Sequence, residues 1–216
     1  MLFRDRAEAG RFLSRELLDA VPELRTEPVT VLAIPRGGVP VAAPIARALH
    51  APIDVFIARK LGAPGREELA IGAVAADGTR VIDQELVRVL HVSESYIEKI
   101  TAREIAEAQR RLALFRGTRP SPAIRDRDVI LVDDGLATGA TARAALAVLR
   151  AEKPLRLVFA APVASMEGAE AIAALGVITV FAAIPKHFQG VGEWYEQFDQ
   201  TSDEEVLALL SAVNEQ

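Results

Sequence analysis

Apolar and polar positions vary along the chain in a pattern that predicts strands and helices in turn. Short, mostly apolar runs rich in β-branched residues are typical of strands buried on both faces of a parallel sheet. Such runs occur at 29–34, 53–58, 129–132, 155–161 and 177–183. Segments with apolar residues every three or four positions, such as 6–20, predict amphipathic helices. Because strands and helices alternate, the pattern predicts an α/β fold with a central parallel sheet flanked by helices.

One stretch interrupts this alternation. The pair Asp77-Gly78 separates two short apolar runs, which predicts a β-hairpin. A long helix with a capping pattern at Ser93 follows, and we expect it to be a scaffold or a subunit contact. The predicted elements of this insertion are 71–75, 80–82, 85–90 and 93–115. We therefore expect one domain over residues 1–216, with a core at about 29–183 and an inserted hairpin and helical segment.

The composition restricts the classes of function. Half of the 216 residues are hydrophobic, which is enough for a sizeable core. A net charge of −5 and a pI near 5.4 disfavour nucleic acid as the main partner. The lack of cysteine excludes disulfides and thiolate chemistry, and the three histidines are too scattered for a metal cluster. The charged start is unlike a signal peptide and no apolar run has membrane-spanning length, so we expect a cytoplasmic protein that does not contact a membrane.

The stretch 129–141 carries the most chemical information. An apolar strand ends in two adjacent carboxylates, Asp133 and Asp134, and a loop of small residues then leads into a helix near Ala140. Loop amides and a helix N-terminus favour an anion such as phosphate. The carboxylates would repel that phosphate, but they can accept hydrogen bonds from vicinal hydroxyls or help to place a divalent cation. A phosphate beside a diol describes a ribose 5-phosphate.

Other loops that follow acidic strands fit this stretch less well. A Walker A loop requires Gly-Lys-Ser/Thr, and no lysine lies between positions 129 and 150. A Walker B strand needs such a loop upstream, and a receiver domain carries its acidic pair near its start. With its two acids and a loop ending Thr-Gly-Ala-Thr, the stretch resembles the phosphoribosyl diphosphate (PRPP) signature of the type I phosphoribosyltransferases.

The resemblance implies an activity and a set of roles. Members of this family displace pyrophosphate from PRPP with a nitrogen nucleophile and use Mg²⁺, and we expect a nucleobase or another small heterocycle as the acceptor. Asp133 and Asp134 would be catalytic and would meet the ribose hydroxyls directly or through water on Mg²⁺. The 5-phosphate would contact Ala137, Thr138, Gly139, Ala140 and Thr141. The expected partners are PRPP, the acceptor and a second copy of the chain in a homodimer.

A second unit of strand, glycine turn and helix precedes the acidic motif. Gly37 and Gly38 open the backbone to an anion, and Arg36 can offer a planar fork to phosphate oxygens. In the resemblance this is the pyrophosphate loop, and we expect a strained or cis peptide near its Arg-Gly bond. Arg59 and Lys60 follow the third strand and, by the same resemblance, neutralise pyrophosphate in catalysis. Ordinary surface roles for these cations are the alternative.

Two further segments are expected to cover the substrate. Residues 60–70 hold proline, glycine and charged residues and match the flexible loop that closes over PRPP in the family. Glu68, or the glutamate before it, is a candidate contact to the acceptor base. Residues 184–200 hold an aromatic cluster that is our candidate for a small C-terminal hood, in which Trp194 and Tyr195 stack on a flat heterocycle. The same aromatics could instead anchor the C-terminal segment or form a dimer contact.

The acceptor and the reaction itself stay open. Members that act on 6-oxopurines carry an acid where this chain has Ala137, so hypoxanthine and guanine are disfavoured. Some proteins of this fold bind PRPP as a regulatory signal, usually with an added nucleic-acid-binding module or basic face, and we expect neither in this acidic chain. The other alternative is a ribose-phosphate hydrolase that uses the same phosphate-binding loop. The cations Arg36, Arg59 and Lys60 favour a transferase.

Overall fold

Two sheets are present in the structure, a computed structural model that describes residues 2–215 except the side chain of Glu68. The strands are β1 (Val29–Ala33), β2 (Ile53–Val55), β3 (Ala58–Ala63), β4 (Arg66–Ala75), β5 (Arg80–Ile82), β6 (Asp128–Val132), β7 (Arg156–Val163) and β8 (Ile178–Ala183). Five of them form a parallel sheet in the order β2-β1-β6-β7-β8. This confirms the predicted α/β fold with a central parallel sheet.

Helices cover both faces of the central sheet. The helices are α1 (Arg6–Ala20), α2 (Gly38–Leu49), α3 (Gln84–Val89), α4 (Glu94–Arg116), α5 (Ala140–Ala151), α6 (Met166–Ala173) and α7 (Asp203–Asn214), of which α3 and α4 belong to the insertion after β2. Side chains alternate along each strand, so Val31 packs in the core with α1, α2 and α7, whereas Leu32 packs with α5 and α6. Among residues 2–215, none of these helices is long and apolar enough to cross a bilayer.

The insertion after β2 forms the second sheet. Its strands β3, β4 and β5 are antiparallel, and α3 and α4 pack against them around Leu61, Ile71 and Ile97. The hairpin predicted around Asp77-Gly78 is confirmed as β4 and β5.

The structure of two segments in this region differs from the pattern expected from the sequence. The strand expected over 53–58 ends at Val55, so Arg59 and Lys60 lie on β3 of the second sheet and not beyond a parallel strand. The segment 60–70, expected to be the flexible loop that closes over PRPP, forms most of a β3–β4 hairpin. Its strands pair because the antiparallel partner lies only a few residues away along the chain.

The positions of β1 and β6 determine where a ligand site can form. The chain leaves β1 toward β2 on one side and returns to β6 on the other side of β1. Such a reversal opens a crevice at the carboxyl ends of the two strands. Ala33 at the end of β1 is paired with Val132 at the end of β6. The glycine loop and the acidic loop, which are far apart along the chain, therefore begin side by side.

Candidate active site

A cleft of about 690 Å³ opens at the carboxyl ends of β1 and β6. One wall comes from the loops after these strands and the start of α5, and the other comes from β3 and α4. Its volume lies in the range of small-molecule sites. Of the predicted site residues, the cleft is lined by Gly37, Arg59, Lys60, Asp133, Asp134, Ala140 and Thr141.

The loop after β6 is tied to the neighbouring strand and helix. The amide of Leu136 donates to the carbonyl of Val163 at 2.9 Å. The hydroxyl of Ser165 donates to the carbonyl of Ala137 at 2.6 Å, next to the start of α6. These bonds hold the loop in place while its outer side stays open.

The start of α5 is open to an anion. Gly139 has a φ of 73°, the left-handed conformation that turns the loop into the helix. No described side chain caps this N-terminus. The residues around it, Ala137, Thr138, Ala140 and Thr141, are all exposed. The first amides of the helix have no partner within the helix, and its dipole is positive at this end. A phosphate can therefore approach these amides directly.

Asp133 and Asp134 lie together at the edge of the cleft. The amide of Asp134 donates to Oδ1 of Asp133 at 2.9 Å. Burial, together with the charge of Asp134, raises the pKa of Asp133 well above its ordinary value. A cation or a set of hydroxyl donors would favour the charged form of this carboxyl. The pair is therefore suited to a diol, to a divalent cation, or to both.

Arg6, the first residue of α1, is a site residue that the sequence did not reveal. Its Nε donates to Oδ2 of Asp134 at 2.8 Å, across 128 residues of sequence. From the other end of the chain, the hydroxyl of Tyr195 donates to the carbonyl of Asp134 at 2.6 Å. Local patterns cannot predict such pairings, because they arise only when the fold brings both chain ends to β6.

The loop after β1 packs directly against the acid pair. A Cβ atom on Gly37 would overlap the carboxylate of Asp134. A Cβ atom on Gly38 would lie 2.6 Å from the carbonyl oxygen of Val132. The two loops come this close because both positions are glycine.

Arg36 does not line the cleft. Its Nη1 lies 3.4 Å from Oδ1 of Asp203, the first residue of α7. The structure therefore does not bring this side chain together with the other predicted site residues. A cis peptide bond joins Pro35 to Arg36, one bond before the Arg-Gly bond near which we expect such a feature.

The basic pair reaches the cleft from β3, and α4 supports it. Arg59 and Lys60 both line the cleft. Nε of Arg59 donates to Oε2 of Glu104 at 2.8 Å, and Nε of Arg103 donates to the other carboxylate oxygen at 2.9 Å. Glu104 is only 6% exposed. This helix, expected to be a scaffold or a subunit contact, thus orients a cation of the site.

The predicted hood residues lie elsewhere. Tyr195 is 5% exposed and packs with Phe3 and Ala9, and Trp194 packs against the same cluster. Neither lines the cleft. These aromatics anchor the C-terminal segment to the start of the chain, which is the alternative that the sequence left open. The side chain of Glu68, the other predicted acceptor contact, lies outside the described part of the structure.

Comparison with known proteins decides the family. The family model of the phosphoribosyl transferase domain matches residues 4–192, most of the chain. The chain belongs to this family. Together with the five-stranded parallel sheet, the match confirms the resemblance to type I phosphoribosyltransferases that the acidic motif shows.

Proteins similar to this phosphoribosyl transferase domain in sequence or fold come from several bacteria. A Mycobacterium tuberculosis H37Rv protein, provisionally named a phosphoribosyl transferase, is 42% identical over 209 residues, 97% of this chain. The match covers 46% of that protein, so the chain spans about half the length of such curated relatives. The crystal structure of TT1426 from Thermus thermophilus is 43% identical, with a TM-score of 0.89 over 97% of this chain and 98% of that one. A hypothetical protein from Neisseria gonorrhoeae has a TM-score of 0.50 at 14% identity, over 98% of each chain, and shows the shared fold alone.

The acid pair of this phosphoribosyl transferase domain fits the donor chemistry of Mg²⁺. Among the described side chains, no group of three or more His, Asp or Glu is placed to hold a metal ion. Mg²⁺ often takes only one or two protein carboxylates and completes its octahedral shell with water and substrate phosphates. Asp133 and Asp134, which both line the cleft, offer such a partial set.

Proposed function

We propose that this phosphoribosyl transferase domain binds PRPP with Mg²⁺ and transfers the 5-phosphoribosyl group to a nitrogen of a small heterocycle, releasing pyrophosphate. The observation that carries the proposal is the cleft that joins the acid pair, the start of α5 and the basic pair. These three features come from separate parts of the fold. Each matches a different part of PRPP in charge and hydrogen-bonding character.

In this proposal the 5-phosphate occupies the open start of α5. The amides there donate to it, and the exposed hydroxyls of Thr138 and Thr141 lie in the same turn. The ribose then lies beside the acid pair, where Asp133 and Asp134 accept hydrogen bonds from its vicinal hydroxyls. The carboxylates also stabilise the positive charge that develops on the sugar as the bond from C1 to pyrophosphate breaks.

The pyrophosphate departs toward the basic wall of the cleft. Arg59 and Lys60 supply cations, and the backbone at Gly37 allows close approach. Mg²⁺, held by Asp133 and Asp134 through water, would disperse the charge on the leaving group. The guanidinium of Arg59 starts from a fixed position because Glu104 binds its Nε.

The acceptor is proposed by class only. Phe56, Ile57 and Ile100 add apolar surface to the cleft, and a flat heterocycle would gain by contact with it. Ala137 offers no acid to a 6-oxopurine, so the proposal disfavours hypoxanthine and guanine. The buried ring of Tyr195 has no part in acceptor binding.

A release assay tests the proposal. The protein is incubated with PRPP, Mg²⁺ and each of a panel of nucleobases and related heterocycles, and pyrophosphate is measured. Release that depends on one acceptor or a few supports transfer. Release without any acceptor indicates a hydrolase, and tight PRPP binding without release indicates a regulatory PRPP-binding protein.

Asp133→Asn is the sharpest variant for this assay. Asparagine keeps an oxygen that can accept from the Asp134 amide, so the local fold should persist. Loss of the carboxylate should lower PRPP turnover by roughly 100-fold or more, the scale of losing a group that stabilises transition-state charge. The control is Asp19→Asn, at a side chain that is 80% exposed on α1. Equal turnover in both variants would contradict the assigned role.

A further inference from the structure

Arg6, near the start of the chain, contacts both the candidate active site and the segment that carries Phe198 and Asp199. Its Nε donates to Oδ2 of Asp134 and its Nη1 donates to the carbonyl of Asp199, both at 2.8 Å. Its guanidinium carbon lies 4.0 Å from the centroid of the Phe198 ring. That ring is stacked on Tyr195 with centroids 5.1 Å apart. A planar cation held by two hydrogen bonds and a ring face has little freedom to rotate.

Asp134 is restrained from three directions. Arg6 binds its Oδ2, the Tyr195 hydroxyl donates to its carbonyl at 2.6 Å, and Gly37 leaves the space that the carboxylate fills. The side chain of Asp134 also interacts with the neighbouring carboxyl of Asp133. One oxygen of this carboxylate is therefore fixed by Arg6, in a residue that lines the cleft.

We infer that Arg6 is a positioning residue, which holds Asp134 so that its second oxygen faces the ribose hydroxyls of PRPP. The inference rests on the proposed PRPP site and adds to it a residue outside the motif loops. Arg6 acts through Asp134 and does not itself contact the substrate. The side chains of Arg6 and Asp134 are 11% and 17% exposed, so solvent screens their interaction only weakly.

The inference is tested by PRPP affinity. Isothermal titration with PRPP and Mg²⁺ compares wild type, Arg6→Gln, Arg6→Lys and the control Arg11→Gln, an exposed position on the same helix. We expect Arg6→Gln to weaken PRPP binding about 10-fold or more, the scale of one hydrogen bond to a charged group. Arg6→Lys keeps the cation but cannot reproduce the planar fork, so it should recover part of the loss. Arg11→Gln should bind as wild type does.

The outcomes separate positioning from a structural role. Arg6→Gln with lowered thermal stability but wild-type PRPP affinity overturns the inference, as does Arg6→Lys with no recovery. If Arg6→Gln does not fold, Tyr195→Phe removes only the hydroxyl bonded to Asp134. That variant should bind PRPP several-fold more weakly, and unchanged binding again overturns the inference.

The inference can fail separately from the proposed function. If wild type binds no PRPP, the proposed function fails. Crystal structures of wild type and Arg6→Gln then decide the positioning role without ligand. A carboxylate of Asp134 that leaves its place beside Gly37 in the variant supports the inference, and one that does not move overturns it.

Discussion

At the scale of single residues, two adjacent glycines allow the loop after β1 and the acidic loop to touch, and they do so in different ways. The missing Cβ of Gly37 makes room for a side chain, the carboxylate of Asp134. The missing Cβ of Gly38 makes room for backbone, the carbonyl oxygen of Val132 in a central strand. A carboxylate can rotate away from a methyl group, but a carbonyl in a paired strand cannot.

Alanine at these two positions should therefore give different defects. Gly38→Ala should cost about 1–3 kcal/mol of unfolding free energy in urea titration, as overpacking commonly does. Gly37→Ala should lose less stability but bind PRPP about 10-fold more weakly, because it displaces the Asp134 carboxylate, and a single charged hydrogen bond has this value. Gly190→Ala, with nothing within 4 Å of the added Cβ, is the matched control. A Gly37→Ala protein with the affinity of this control would contradict the assigned contact.

Glu104 should control how well the cleft binds pyrophosphate. In Glu104→Gln the charge that holds Arg59 is lost, although one acceptor oxygen remains. We expect affinity for pyrophosphate with Mg²⁺ to fall about 10-fold, while ribose 5-phosphate, which does not reach the basic wall, is affected much less. Titration of both ligands measures this. The control is Glu98→Gln, at an exposed position on the same helix. If Glu104→Gln lowered the affinity for both ligands equally, Glu104 would not act through Arg59 alone.

The sequence predicts where a residue lies best when neighbours in sequence are also neighbours in space. Asp133, Asp134, Ala140 and Thr141 line the cleft as the motif predicts, because strand, loop and helix start are continuous. Arg6 could not be found this way, since its partner is 128 residues distant. The other failures, at Arg36, Trp194 and Tyr195, have the same origin: their contacts depend on α7 and on the chain ends.

At the scale of elements, the sequence predicts the strands and helices of the core well and the pieces around it less well. The hairpin of β3 and β4 was expected as a loop because Pro64-Gly65 indicates a break. Proline followed by glycine with positive φ is also a signal of a tight turn, and Gly65 has a φ of 67°. The helix α7 was not predicted, although Ser202 caps it through the amide of Glu205.

The helix that carries Arg6 depends on its own cap. The side chain of Asp5 accepts from the amide of Glu8 at 2.7 Å at the start of α1. Asp5→Ala should cost about 1 kcal/mol of unfolding free energy, the usual value for an N-cap. Asp5→Asn, which can still cap, is the control and should cost much less.

The pH dependence of that loss follows from the pKa of Asp5. The hydrogen bond from the Glu8 amide lowers this pKa from its ordinary 3.8. The ionised cap therefore contributes stability above about pH 4, and this contribution disappears as pH falls through the lowered folded-state pKa. The difference between wild type and Asp5→Ala in urea titration should be full at about pH 7 and shrink below about pH 4. A difference that stays constant to about pH 2 would show that the charge plays no part.

At the scale of the whole molecule, the order of the strands creates the site. The sequence predicts a parallel sheet but does not give the reversal between β1 and β6 that brings the two loops together. The sequence also does not predict that α4 forms one wall of the cleft, since this depends on how the inserted sheet packs against the core. Because the site is assembled from separate parts of the fold, we expect ligand binding to favour the folded state over the unfolded state.

PRPP should stabilise the protein against heat in the presence of Mg²⁺. At a concentration about 100 times the Kd, binding adds about 2.7 kcal/mol, which corresponds to a rise in Tm of roughly 5–10 °C for a chain of this size. Differential scanning calorimetry measures the rise. Asp133→Asn should show a smaller one, and ribose without phosphate should show almost none. No rise at millimolar PRPP would argue against a specific site.

The most direct test of the account is a crystal structure of the protein with PRPP and Mg²⁺. The account predicts the 5-phosphate on the amides at the start of α5. It also predicts ribose hydroxyls within hydrogen-bonding distance, about 2.5–3.0 Å, of the Asp133 and Asp134 carboxylates or of water on the metal. PRPP bound elsewhere, or a turn after β6 that stays empty at saturating PRPP, would contradict it.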